Sequence, residues 1–432
     1  MGSRSGMRAR RLAGVASAAT IGALVAGVTA GATVAPQKAH AVKKFKGTLT
    51  VGNITSVTGL GNTFTGFQAG VVAFFDYYNA HGGINGYKIR LIKFDDAADP
   101  AKNSADSRTL VQQDHVTAIV GEASLGDAAS QKYLQSQGVP VVGGWATSSA
   151  WERPSTNMFV SLQGPQSPYC PLWSSPLAKA NGVTSMAFIA QNFPDAVQDA
   201  NCRMAAASHV GIKVEKPQID VSLTAVDYTP EIQQAMATGA RAIYFSTGQN
   251  GINAGIQAGV RLGYKGYYVV TQPSGVIQGL GPSLAKAVNK RVLTSSFSLL
   301  PNDPSSYSKE LAKFKVGIKR YEPAFASEIT AVSGWAAGKL FADALTAAGP
   351  NRAAIMRWIS RQTHYTFGGL QGPMNYTRGS QPNPCTTSLM LQNGQFVRPA
   401  HGALKGPKFN CGPLINPTTG KVNGPTGGVP KS

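Results

Sequence analysis

Short apolar runs alternate along the chain with longer amphipathic stretches, and their spacing predicts a regular succession of strands and helices. GTLTVGNIT (47–55) reads as a strand entering a Gly- and Thr-rich loop. FQAGVVAFFDYYNAHGG (67–83) reads as a helix stopped by Gly82 and Gly83. YKIRLIKFDD is a second strand, followed by a helix in AKNSADSRTLVQQD, a strand in VTAIVG, a helix over 128–136 and a strand in VPVVGG. This βαβαβαβ order, with short connections, predicts an open parallel sheet covered by helices. A second such unit follows, with strands in TSMAFIAQNF, KPQIDVSL, ARAIYFSTG and GYYVVTQ and helices in VQDANCRMAAASHVG, PEIQQAMATG and GINAGIQAGVRLG. RVLTSSF reads as a strand leaving that unit, and EITAVSGWAAGKLFADALTAAG as a long apolar-striped helix packing back on the first. The chain therefore crosses between two α/β lobes more than once.

The residues before position 42 do not fit this pattern. Arg8, Arg10 and Arg11 precede a long uncharged apolar stretch, and Ala39 and Ala41 form a small-x-small cleavage site before Val42. That is the pattern of a secretory signal peptide spanning 1–41, so the expected location is exported, periplasmic or secreted. No cysteine near the cleavage site offers a lipid anchor. The whole chain carries 40 Lys and Arg against 20 Asp and Glu, a net +20; cleavage would leave 35 against 20, a net +15. The basic residues are scattered, with Lys43, Lys44 and Lys46 as the one tight cluster, so a basic surface is expected and nucleic-acid binding is not. The 4 cysteines, Cys170, Cys202, Cys385 and Cys411, suit an oxidising compartment. They can pair in three ways, and the sequence neighbours Cys170 with Cys202 and Cys385 with Cys411 are preferred.

Chemistry-bearing motifs are sparse. The chain has no GxSxG, HExxH, Walker A or complete GxGxxG, its 6 histidines are scattered, and no cysteine spacing suits a metal. Asp95 and Asp96 end a strand in FDDAADP, where a turn and a helix N-cap account for them. Neither a catalytic residue, nor a metal, nor a cofactor is expected, and the chain does not read as an enzyme. The loops at the carboxyl ends of the strands are TSVTGLGN, GEASLGDAA, GGWATSSAW, QNFPDA, STGQNG and TQPSGV. Nearly all of their residues are Ser, Thr, Asn, Gln or Gly, with Trp145 and Phe193 as bulky members. Parallel sheets bind ligands at this edge, and neutral donors around aromatic faces suit a small molecule.

FTGFQAGVVAFFDYYNAHGGINGYKIRLIKFDDAADP combines a helix, GGI-x-G, a strand and DDxxDP, and in this the chain resembles the leucine/isoleucine/valine-binding branch of the type I periplasmic binding proteins. The likeness covers roughly 47–400. It implies an α/β fold of two Rossmann-like lobes with parallel sheets, joined by a three-crossover hinge. The implied division is lobe 1 over 42–163, lobe 2 over 164–294, returning lobe 1 helices over 295–365, a hinge return and lobe 2 edge over 366–404, and an irregular tail over 405–432. The resemblance implies an extracytoplasmic solute-binding protein of an ABC importer, acting as a monomer with permease subunits as partners. A ligand-sensing receptor component of the same fold is the alternative.

Matching the family's motifs carries ligand contacts onto Ser124, onto Trp145, Ala146 and Thr147, and, in the second lobe, onto Phe193, Gln249 and Ser274. Leu60 lies in a loop about five residues shorter than the family's usual length. Amino-acid-binding members place an acid where this chain has Ser274, and a small residue where it has Trp145. A buried ammonium without a carboxylate is costly. The expected ligand is therefore an amino acid or an organic acid, aromatic acids included, with a carboxylate but no required α-amino group.

Overall fold

The computed structural model describes residues 45–59, 64–151, 157–163, 169–271, 273–303, 307–378, 383–399 and 409–423. The expected signal peptide and Leu60 lie outside the described residues.

Lobe 1 begins with β1 (Gly47–Thr55), α1 (Thr65–Ala80), β2 (Tyr87–Asp95), α2 (Pro100–Gln112), β3 (Ile119–Val120), α3 (Gln131–Ser136), β4 (Val141–Ala146) and β5 (Met158–Gln163). The strands form a parallel sheet in the order β2-β1-β3-β4-β5. The chain then builds lobe 2 from α4 (Ser175–Ala180), β6 (Ser185–Gln191), α5 (Pro194–His209), β7 (Lys213–Val214), β8 (Ile219–Val221), α6 (Thr229–Ala237), β9 (Ala242–Ser246), α7 (Gln249–Arg261), β10 (Tyr267–Val269), α8 (Pro273–Ala287) and β11 (Val292–Ser296).

Three helices follow: α9 (Lys309–Tyr321), α10 (Ile329–Ala348) and α11 (Arg352–Ser360). All contribute to the lobe 1 core, as do Phe367, Leu370, Met374 and Tyr376. Lobe 1 packing thus continues past residue 365. The return to lobe 2 comes with β12 (Cys385–Gln392), which pairs antiparallel with β11 and with β13 (Gln395–Val397). Short strands β14 (Asn410–Cys411), β15 (Leu414–Ile415) and β16 (Val422–Asn423) occupy part of the tail expected to be irregular.

Lobe 1 is held by a close crossing of α1 and α10. A Cβ on Gly70 would lie 2.0 Å from the Ala331 carbonyl oxygen, and one on Gly334 would lie 1.9 Å from that of Phe67. Only glycine at both positions lets the backbones come this near. Trp335, fully buried on α10, packs edge-on against Phe74 and Phe314 and donates its indole N–H to Glu310 of α9 at 2.9 Å. That bond satisfies the one polar group the aromatic takes into the core.

Candidate functional site

The carboxyl ends of β1, β3 and β4 converge on a buried polar network. Asp96, Asn103, Glu122, Ser124 and Asp127 are all fully buried. Asp96 accepts the hydroxyls of Ser56, at 2.6 Å, and of Ser124, together with the Asn103 amide at 3.0 Å. The same amide nitrogen lies 3.2 Å from Glu122 Oε1. Ser124 Oγ also accepts the Gly126 N–H at 2.8 Å, which shapes the loop after β3. Asp95 closes the neighbouring turn by accepting from Val57 N, Thr58 Oγ1 and Ala97 N. The helix cap expected of this acidic pair belongs instead to Asp99, which accepts from Ala101 N and Lys102 N.

Asp127 organises the next loop. Its Oδ2 accepts from Thr147 Oγ1 at 2.7 Å and Trp151 Nε1 at 2.5 Å, and its Oδ1 accepts from Ser148 Oγ. Thr147 also reaches the Ser124 carbonyl, so the loops after β3 and β4 are tied together. The hydroxyls at the start of TSSAW thus face an acid 20 residues upstream. The two glycines before them serve packing. Gly143 has φ 72° at an irregularity in the β4–β5 pairing, and a Cβ there would lie 2.4 Å from Ala337 Cα. A Cβ on Gly144 would lie 1.9 Å from the Trp151 ring.

Trp145 belongs to β4 itself, past the expected strand end. It is half-buried, meets Phe64 edge-on at 4.7 Å and Phe67 at 5.9 Å, and donates its backbone N–H to Glu122 O at 2.8 Å. Ala146 is buried beside it.

Burial and, next, the Asp127 charge push the Glu122 carboxyl well above its ordinary value of 4.5; the Asn103 hydrogen bond opposes this and Asp96 adds to it. Glu122 Oε2 has no hydrogen-bond partner among the described residues. Burial likewise raises Asp127, against the bonds from Ser148, Thr147 and Trp151. An acid raised in the folded state binds its proton more tightly there than in the unfolded chain. Its contribution to stability is full below the unfolded value and is lost as pH rises through the folded one. Glu122→Gln keeps the shape of the neutral acid and cannot ionise. Urea unfolding at a series of pH values should show the variant gaining on the native chain as pH rises above about 4.5. A difference that stays constant with pH would contradict a neutral Glu122.

On lobe 2, Phe193 is half-buried and stands at the extended N-cap of α5, with no side-chain cap bond and Pro194 following. Gly248 caps α7 in the same uncapped manner. Gln191 at the end of β6 joins these loops by accepting Gly248 N at 2.9 Å and reaching the Leu223 carbonyl. Gln249 is half-buried and donates to Asn253 at 3.2 Å. Ser274 falls in the first turn of α8, a helix the sequence reading treated as loop, and its side chain is outside the described residues. The structure thus places Ser124, Trp145, Ala146 and Thr147 together at the lobe 1 edge, and Phe193 and Gln249 near each other on the lobe 2 loops. Asp127, Glu122, Asn103 and Gln191 were missed. GDAA reads locally as a helix start, and only strand order brings it beside TSSAW.

The periplasmic binding protein family model matches residues 48–395. An amino acid binding protein of Pseudomonas aeruginosa is 39% identical over 83 residues, which is 19% of this chain and 22% of that relative's length. A solute-binding protein of an ABC transporter from Rhodopseudomonas palustris HaA2, solved with p-hydroxybenzoic acid, superposes with a TM-score of 0.68 at 16% identity, covering 84% of this chain and 97% of that one. A branched-chain amino acid transporter substrate-binding protein from Streptococcus pneumoniae, solved with isoleucine, gives 0.65 at 17% identity over 82% of this chain and 100% of that one. At these identities the solved structures show a common fold, and the family match spans most of the chain. The chain belongs to the periplasmic binding protein family.

Proposed function

We propose that the protein is an extracytoplasmic solute-binding protein of an ABC importer that captures a small carboxylate-bearing molecule by closure of its two lobes. The observation that carries this reading is the pairing of an aromatic-lined lobe 1 edge with two lobe 2 helices, α5 and α7, that begin without side-chain caps. Helix starts of this kind present backbone N–H groups and a positive dipole end to an anion. The hydroxyls of Ser124 and Thr147 are engaged by Asp96 and Asp127, so they hold the loops in shape and the loop backbone meets the ligand. Trp145 and Phe193 supply apolar faces, and Gln249 and Ser274 supply polar contacts on closure. The buried acids beneath the lobe 1 loops offer no positive partner to a ligand carboxylate, which favours placing it against lobe 2.

A thermal-shift screen with p-hydroxybenzoate, other aromatic acids, leucine and isoleucine tests the reading. A ligand at 100 times its Kd should stabilise the protein by about 2.7 kcal/mol. Shifts with aromatic or other organic acids are expected, whether or not amino acids also bind. Tight leucine binding with no response to organic acids would overturn the ligand class. A flat screen across all of them would overturn the binding role.

A further inference from the structure

The segment 409–423 lies beyond the 48–395 matched by the family model, yet it is built into the hinge. Near its start Cys411 is disulfide-bonded to Cys385, the first residue of β12, where the third crossover enters lobe 2. Asn410 and Cys411 pair with Thr386 and Cys385, and Gly412 N donates to the Pro384 carbonyl at 3.1 Å. Three residues later the same segment reaches the first crossover. Ile415 and Cys170 exchange two backbone hydrogen bonds of 2.8 Å each, and Cys170 is disulfide-bonded to Cys202 on α5. Ile415 is buried against Leu172 and Ala206. The turn that follows is closed by Asn416, which accepts from the backbone N–H groups of Thr418 and Thr419 at 2.9 Å and lets 422–423 pair back on 414–415.

The crossovers are also joined to one another. Trp173 on the first meets Phe297 on the second edge-on at 4.4 Å, and the Arg203 guanidinium of α5 stacks 3.7 Å from the Trp173 ring centroid. Leu299 N on the second crossover donates to Leu370 O on the third at 2.9 Å, and Gln371 Nε2 donates to Ser298 Oγ at 3.0 Å. With 409–423 linking the third crossover to the first, the contacts close into a ring. Both disulfides attach that ring to lobe 2.

We infer that 409–423 is a hinge strap: it ties the third crossover to the first where both join lobe 2, so that these two crossovers keep a fixed register when the lobes move. A covalent closure restrains the loosened state of the segment it bridges. The inference does not depend on which ligand the protein binds.

Amide hydrogen exchange on the full chain tests it, using a Cys385→Ser/Cys411→Ser double variant and, separately, Ile415→Ser. In each, exchange at Cys170 and at Ser175, whose N–H is bonded to the Leu172 carbonyl of the first crossover, should speed up at least tenfold, while amides within β1 and β9 keep their native protection. Faster exchange confined to 410–416, with Ser175 unchanged, would overturn the strap and leave the segment a passive appendage. If the double variant does not fold, Ile415→Ser carries the test, because it leaves both disulfides intact.

Discussion

Replacing Asp127 with alanine is expected to destabilise the protein by about 2–4 kcal/mol, whereas asparagine should be tolerated to within about 1 kcal/mol. The asymmetry follows from the donors around it. Thr147, Ser148 and Trp151 all direct polar hydrogens at this one buried carboxyl. Alanine strands the buried Trp151 N–H at about 1–3 kcal/mol and costs Thr147 and half-buried Ser148 a partner, although Thr147 keeps the Ser124 carbonyl. Part of the loss is offset because a buried acid is removed. Asparagine can place its oxygen where Oδ2 lies, toward Thr147 and Trp151, and its amide toward Ser148. A serine hydroxyl can turn to accept, but an indole N–H cannot. Urea unfolding of both variants at neutral pH measures the difference. Ligand capture should follow the same order, because the acid anchors the loop that follows Trp145 and carries Thr147. Equal stability of the alanine and asparagine variants would show that the loop does not depend on this acceptor.

Gly334→Ala should cost about 3 kcal/mol, although alanine is the better helix former by about 1 kcal/mol. The added methyl would meet a backbone oxygen on α1 at 1.9 Å, and backbone cannot rotate away as a side chain can. The helices must separate, which loosens the packing around Phe67 and Val71 in the centre of lobe 1. Gly70→Ala presses on the same crossing from the other side, so the two losses should not add. Thermal unfolding followed by circular dichroism measures them. A change within about 0.5 kcal/mol for either variant would mean that the crossing can widen freely.

The strand and helix order was legible because each element carries its own period. β1, β2 and α10 fall where GTLTVGNIT, YKIRLIKFDD and EITAVSGWAAGKLFADALTAAG place them. The elements that went unread lack such a signal or have it interrupted. The helix α8 contains Gly281 at φ 66° followed by Pro282, which reads as a break. β3 keeps only 2 residues of the strand read in VTAIVG. β4 runs past Gly144, where VPVVGG was read to end, through Trp145 and Ala146 because β5 pairs with both.

By itself the sequence determined an α/β chain of two lobes, the alternation of strands and helices in each, and the helix-GGI-x-G-strand-DDxxDP pattern of its family. These depend on neighbours within a few residues, where hydrophobic period and turn residues act directly. The tertiary structure decided what the loop residues do. Thr147 and Ser148 at a helix start read the same whether they face a ligand or an acid, and Gly143 and Gly144 the same whether they admit a ligand or a helix. The parallel order β3-β4 seats Asp127 beside Trp151, and the crossing of α1 with α10 seats Ala337 against Gly143. Those contacts join residues far apart in the chain, and no local pattern specifies which distant group will fill the space beside a hydroxyl or a glycine.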